Sequence, residues 1–250
     1  AEAISEGIMD YFRTDHEPIR IDSNADFDAA HGVLNWATGN GSASNPWMIE
    51  NYIVNGTGSG CGIYIGNTTD HFIIRDCILT GASGVSVNYY WDTGLYLYNV
   101  INARIENNTM HSNHRYGIRL QLSHSNLILN NKANENYYYG VYLRYFDRNI
   151  ISNNIGFYNN YSGIILYSSE NNTISDCAST GITLVGQTPN CIVTNNDITD
   201  CVNSGILIGN LEEGEITDNI ISNVGSHSIY SSGFSESDIS GNVITYAMSS

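Results

Sequence analysis

A glycine followed by an apolar-x-apolar triplet returns through this chain at nearly fixed spacing. It reads Gly62-Ile63-Tyr64-Ile65, Gly94-Leu95-Tyr96-Leu97, Gly117-Ile118-Arg119-Leu120 and Gly140-Val141-Tyr142-Leu143. It continues as Gly163-Ile164-Ile165-Leu166, Gly181-Ile182-Thr183-Leu184 and Gly205-Ile206-Leu207-Ile208, with a worn copy at Ser228-Ile229-Tyr230-Ser231. Successive steps are 32, 23, 23, 23, 18, 24 and 23 residues. Self-similarity at such a period marks a solenoid, in which each unit covers the apolar face of the next. Residues one period apart become spatial neighbours, so surface chemistry has to be read down columns.

Each unit holds a second apolar segment, about eleven residues after the glycine, as in Ile105-Glu106-Asn107-Asn108, Ile128-Leu129-Asn130-Asn131 and Ile151-Ser152-Asn153-Asn154. A third short patch follows, as in Ile220-Ile221 and Val243-Ile244. Short alternating segments bounded by Gly, Asn, Asp and Ser are strand-and-turn grammar, and no window sustains a helical period. The expectation is an all-β fold, a right-handed single-stranded parallel β-helix of about 23 residues per coil. Positions one and three after the glycine should fill the core and position two should face outward. The column Asn108, Asn131, Asn154, Asn196, Asn219, Asn242 fits an asparagine ladder at a tight corner, with Asn tolerating the αL conformation there.

The repeat is missing up to about residue 44, so 1–44 reads as an N-terminal capping segment and 45–250 as the β-helix, together one domain. Between Asn24 and Leu34 the spacing of Phe27, Ala30 and Leu34 predicts a short capping helix, with His31, Asp22, Asp26 and Asp28 as solvated capping residues.

The glycine-led and Ile-x-Asn-Asn units resemble the parallel β-helix repeats of NosD-like proteins and of carbohydrate-binding and sugar-hydrolase (CASH) domains. The stretches Glu17-Pro18-Ile19-Arg20-Ile21, Asn24-Ala25-Asp26-Phe27 and Asn45-Pro46-Trp47-Met48-Ile49-Glu50 resemble the opening segment of archaeal surface proteins that carry such repeats. The resemblance covers nearly the whole chain and implies the fold. It does not choose a function, because this repeat serves lyases, epimerases, hydrolases and non-catalytic adhesins alike.

Nine Lys and Arg stand against 25 Asp and Glu, a formal charge of −16. That balance argues against nucleic acid and against anionic membrane surfaces. No transmembrane run or signal peptide is visible, and a chain that starts at Ala1 reads as a mature or trimmed form. It stops mid-unit at Thr245-Tyr246. An uncapped solenoid end exposes strand edges, so further sequence or another copy of the chain is expected to pack there. Asn-x-Ser/Thr sequons at Asn40, Asn55, Asn67, Asn107, Asn160 and Asn171 permit glycosylation of an exported protein. Five cysteines (Cys61, Cys77, Cys177, Cys191, Cys201) show no metal-ligand spacing, so neither zinc, copper nor any other cofactor is expected. Most read as small core fillers, and a Cys177–Cys201 bridge is conceivable from their like positions upstream of glycine-led units.

Two units break the rhythm. The step from Gly62 to Gly94 is about nine residues long for the repeat, and the excess falls within Ala82–Thr93, which holds Tyr89, Tyr90, Trp91 and Asp92. The step from Gly163 to Gly181 is five residues short, so a trimmed loop should leave a notch in the surface.

The outward column reads Tyr64, Tyr96, Arg119, Tyr142, Ile165, Thr183, Leu207, Tyr230, and two positions on it reads Gly66, Tyr98, Gln121, Arg144, Tyr167, Val185, Gly209, Ser232. Tyr116, Tyr137, Tyr138, Tyr139, Tyr158 and Tyr161 add to the same region. Tyrosines stacked at strand spacing offer sugar rings a flat amphipathic surface, and Arg119 with Arg144 could hold a carboxylate or sulfate. The candidate ligand set is Tyr64, Tyr96, Tyr98, Arg119, Gln121, Tyr142, Arg144 and Tyr167, with Tyr89, Tyr90 and Trp91 as a wall. Cross-strand packing of the same side chains is the competing reading. His114-Arg115-Tyr116-Gly117 is similar to the Tyr-Gly active strand of mannuronan epimerases, but Ile118-Arg119-Leu120 stands where that family has Asp-Pro-His. His124, Asp147 and Glu170 stack in another column and could serve acid–base chemistry or a metal. The sequence therefore points to an exported, extracellular or cell-surface protein that binds a polysaccharide or glycan. The alternatives are a polysaccharide lyase, epimerase or hydrolase on the same face, and a structural surface-layer or adhesin segment.

Overall fold

The structure is a computed structural model that describes residues 13–84, 92–145, 147–175 and 181–245, and the backbone alone of 178 and 179. Tyr89, Tyr90, Trp91 and Cys177 lie outside the described residues.

Three parallel sheets wrap around one core. Among the described residues sheet one has ten strands, beginning at Thr14–His16, Tyr52–Gly58 and Ile78–Gly84 and ending at Val243–Thr245. Sheet two likewise has ten of the described strands, beginning at Ile19–Ile21, Cys61–Thr68 and Thr93–Val100, and sheet three has nine, from Trp47–Glu50 to Asp238–Ser240. Each coil visits sheets three, one and two in turn and pairs with its counterpart one coil on: Ile118 with Val141, Ile128 with Ile151, Met110 with Ala133. The inward positions are filled as expected. Ile63, Ile65, Leu95, Leu97, Ile118, Leu120, Val141, Leu143, Leu166, Ile182, Leu184, Ile206 and Ile208 have no exposed surface.

The recurrent glycine at the start of the central strands of sheet two has a steric reason. A Cβ on Gly94 or Gly117 would lie 2.8 Å from the carbonyl oxygen of the glycine one coil on, and on Gly140 it would lie 2.6 Å from both Gly163 O and Ala133 O. The coils are too close there for any side chain.

The asparagine column forms the ladder its spacing predicts, but with a division of labour inside each doublet. The residue before the ladder takes the left-handed backbone: Asn107, Asn130, Asn153, Asn195 and Asp218 have φ between 53° and 56°. The ladder residues Asn108, Asn131, Asn154, Asn196 and Asn219 are instead buried to 1% exposure or less. Asn131 Oδ1 accepts from the Asn108 amide and side chain, while its Nδ2 donates to Ile105 O and Asn154 Oδ1, all at 2.9–3.0 Å. Two further ladders stand at the other corners, Asn113–Asn136–Asn159 and Asn126–Asn149–Asn172. Each of these is again preceded by a left-handed residue: Ser112, Glu135 and Tyr158 for the first, Ser125, Arg148 and Asn171 for the second. The backbone N–H groups of Asn108, Asn113, Asn126, Asn131, Asn136, Asn149, Asn196 and Asn219 each donate to the ladder side chain one coil on, so these corner amides are not left stranded.

The N-terminal region departs from expectation. Thr14–His16 and Ile19–Ile21 are strands that pair in parallel with Tyr52–Val54 and Ile63–Ile65, so a partial coil precedes the first glycine-led unit. In place of a capping helix the chain makes two three-residue 3-10 turns, Asn24–Asp26 and Ala29–His31, the second ended by Gly32 at φ 74°. Phe27 reaches the core beside Trp47 and Phe72, whereas Leu34 is half exposed. Helical spacing fails because each turn closes after a single ring.

Cys61, Cys77, Cys191 and Cys201 are free and buried among the described residues, and a Cys177–Cys201 bridge would involve a residue outside them. Burial pushes the Cys61, Cys77 and Cys201 thiols up to about 12 and Cys191 up to about 11, as suits core fillers.

Candidate functional site

The outward column of sheet two is not an open face. Tyr64 is 8% exposed, Tyr96 5% and Arg119 2%. The column starts one coil earlier than the glycine suggests, at Arg20, whose guanidinium lies 4.6 Å over the Tyr64 ring. Tyr64 packs edge-on to Tyr96, and Arg119 sits 4.9 Å from the Tyr96 ring and 5.5 Å from those of Tyr116 and Tyr142. Gln121 Oε1 accepts from both Tyr96 OH and Arg119. Arg144 is half-buried between Tyr145 and Tyr167 and donates to the Tyr145 hydroxyl. Tyr98, Tyr142 and Tyr167 are half-buried edges of the same stack. Tyr64, Tyr96 and Arg119 are therefore corrected from an open ligand surface to an interleaved cation–aromatic layer. Their residue types are those of sugar binding, but stacking one coil apart lets them satisfy each other.

Burial pushes the Tyr96 and Tyr139 phenols up to about 12. The unfolded chain ionises its tyrosines near pH ~10, so these two groups favour the fold fully below that pH. Their contribution is lost as pH rises through about 12. Phenolate absorbance should show late-titrating tyrosines that ionise together with unfolding in this window, and Tyr96→Phe should move the transition to higher pH. Full titration near pH ~10 with the fold intact would refute the burial.

His124, Asp147 and Glu170 do approach one another. Asp147 pairs with Glu170 across the coils, and its backbone N–H donates to His124 Nδ1 at 3.1 Å. That ring nitrogen is an acceptor, so its 3.4 Å approach to Asp147 Oδ2 carries no proton between them. Among the described residues no three His, Cys, Asp or Glu side chains converge as a metal site.

The irregular loop lengths are informative because both fall at one corner, between sheets one and two. Gly58 pairs with Gly84 at a step of 26 while Cys61 pairs with Thr93 at 32, so the insertion lies between Gly84 and Thr93. Ile155 pairs with Ala178 at a step of 23 while Ile164 pairs with Ile182 at 18, so the deletion lies between Ser179 and Ile182. An open groove of about 710 Å³ crosses five successive coils at this corner, three of them the regular coils between the breaks, and is lined by Thr57, Ser83, His114, Glu135, Tyr137 and Tyr158 among others. At about 4.8 Å per coil, five coils span roughly 19 Å. Asn113 and Asn136 of the corner ladder form its floor. Tyr137 is 52% exposed and packs against His114 and Tyr138, and Tyr138 stacks on Tyr161 at 5.4 Å.

Tyr158 occupies the left-handed position of its corner, at φ 56°, with 77% of its surface exposed. Bulky side chains avoid this conformation, and the preceding coils place Ser112 and Glu135 there. His114 holds its Nδ1 3.4 Å from Asp92 Oδ2; its side chain is 66% exposed and that of Asp92 is 7% exposed. Asp92 Oδ1 is buried and has no hydrogen-bond partner among the described residues. Sequence reasoning noted Tyr137 and Tyr158 but not the groove, Glu135 or the His114–Asp92 pair. The signal was there, since both length changes fall in the segment between the third apolar patch and the glycine.

A family model described as "Right handed beta helix region" matches residues 93–244. No curated protein sequence matches the chain. The structure is similar to that of the periplasmic alginate epimerase AlgG, with TM-score 0.60 and 20% identity over 75% of this chain and 48% of that one. The chain thus spans about half the length of that epimerase. It is also similar to PfbA, a surface adhesin of Streptococcus pneumoniae (TM-score 0.58, 13% identity, 94% of this chain and 72% of that one). A third similar structure is the A-module of the Azotobacter vinelandii mannuronan C-5 epimerase AlgE4 (0.52, 14%, 91% and 74%). At these identities the likeness is one of fold.

Proposed function

We propose, from the premise that this chain belongs to the right-handed β-helix family, that it binds a glycan chain laid along the corner groove. The observation that carries this reading is a groove crossing five coils with Tyr137 and Tyr158 exposed along it, the second in a backbone conformation that tyrosine avoids. Exposed aromatic faces beside Ser, Asn and Glu side chains match the apolar C–H faces and hydroxyls of sugars. Two similar structures, an alginate epimerase and a surface adhesin, fit a glycan-facing role at or beyond the cell envelope. The finer resemblance to NosD-like and CASH-domain repeats of archaeal surface proteins belongs to the same reading.

The test is a glycan array run beside a polysaccharide-degradation screen. Tyr137→Ala with Tyr158→Asn, the latter suited to the left-handed position, should lower affinity at least about tenfold, the equivalent of about 1.4 kcal/mol, with thermal stability unchanged. Binding to no glycan would leave a structural surface segment instead. A second reading rests on the His114–Asp92 pair: a buried carboxylate that orients an exposed imidazole equips it for proton transfer in a lyase, epimerase or hydrolase. Unsaturated or reducing ends formed by the wild type and lost in His114→Ala would establish that reading.

A further inference from the structure

The notch that the trimmed loop predicts is present and has its own walls. Phe157, Tyr158 and Tyr161 stand on one side, and Thr199, Asp200 and Val202 on the other, around a cavity of about 300 Å³. That size is at the small end of the ~300–1,000 Å³ range of small-molecule pockets. The two walls come from the coils before and after the short one. The connections at this corner run 157–161, then two residues between Ser179 and Ile182, then 199–205. The loop beyond the short connection has seven residues, and its Val202 is 79% exposed beside the cavity.

Tyr158 lines both the groove and the notch, so the two adjoin at this side chain. Among the described residues the linings of both include no Lys or Arg, while Glu135 and Asp200 contribute carboxylates to a chain of formal charge −16. Asp200 Oδ1 is engaged by the Asn223 side chain. A carboxylate beside aromatic walls accepts sugar hydroxyls, and the local field repels a polyanion.

We propose that the notch is a terminal subsite, which receives the end residue of a neutral, hydroxyl-rich glycan whose following residues lie in the groove. The inference rests on the glycan-binding reading of the groove and adds to it the charge class of the ligand and recognition of a chain end.

The test uses the full chain with short cello-, xylo-, manno- and chito-oligosaccharides, and an alginate oligomer as the anionic probe. At least one neutral oligomer should bind at least ten times more tightly than the alginate oligomer. Val202→Trp, which fills the notch from an exposed position, should weaken that binding about tenfold. Partial hydrolysis of the parent polysaccharide should raise its strength as a competitor in proportion to the chain ends created. Val202→Trp and Tyr161→Ala binding like the wild type while Tyr137→Ala fails would overturn the terminal subsite and leave the groove standing. Competition that follows polymer mass rather than chain ends has the same consequence. Preference for the alginate oligomer overturns the neutral-ligand assignment alone, and binding of none of these probes overturns the groove reading with it.

Discussion

Replacing Asn131 with alanine should destabilise the fold by at least about 3 kcal/mol. The substitution leaves the Asn108 backbone N–H, one Asn108 side-chain N–H and the Ile105 carbonyl without their partners, in surroundings where Asn131 itself has no exposed surface. Each buried group left unmet costs about 1–3 kcal/mol, and at roughly 2–4 °C per kcal/mol for a chain of this size the melting temperature should fall by about 6 °C or more. Its neighbour Asn130 provides the control. Asn130 has φ 53° and is exposed, so Asn130→Gly should be neutral or slightly stabilising. The two members of the doublet therefore respond oppositely to the loss of a side chain. Thermal melts measure the difference, and hydrogen exchange at the Asn108 amide localises it. Equal effects at both positions would remove the ladder from its role.

Arg119→Ala should also act on stability, by about 2–4 kcal/mol. The guanidinium lies within 5.5 Å of three tyrosine ring centres and donates to Gln121 Oε1 at 2.7 Å, with 2% of the residue exposed. Its removal opens a cavity and uncouples Tyr96 from Tyr142, whereas Arg144→Ala, at a half-buried site, should cost about 1 kcal/mol or less. A ligand-binding arginine would show the reverse, an unchanged melt and lost affinity. Comparing melting temperatures and glycan affinity for the two variants separates a structural layer from a binding face.

Much of this architecture is legible in the chain. Gly94, Gly117 and Gly140 mark the coil step because no Cβ fits between their carbonyls, and Leu97 and Leu120 alternate inward because a strand leaves them no other face. The main ladder was readable from Asn108, Asn131 and Asn154; the other two have the same 23-residue spacing, at Asn113, Asn136, Asn159 and at Asn126, Asn149, Asn172. They were hidden because most of their members have no neighbouring Asn; only Asn159-Asn160 and Asn171-Asn172 form doublets. The binding face was harder. A column of Tyr and Arg has the same composition whether it meets a sugar or itself, and only burial separates the two. Arg20 went unrecognised as the first member because no glycine-led unit precedes it.

The corner ladder Asn113–Asn136–Asn159 covers only the regular coils, between the insertion after Gly84 and the deletion before Ile182. Its consequence is evolutionary. Three hydrogen-bonded coils hold the register, so residues can be gained or lost at either end of this corner without a slip in the core. Lengthening the connection before Thr93 or restoring the one before Ile182 would reshape the ends of the groove while every inward residue kept its place. Ligand preference in a scaffold of this kind can drift by changes in length at one edge, with the buried sequence held constant.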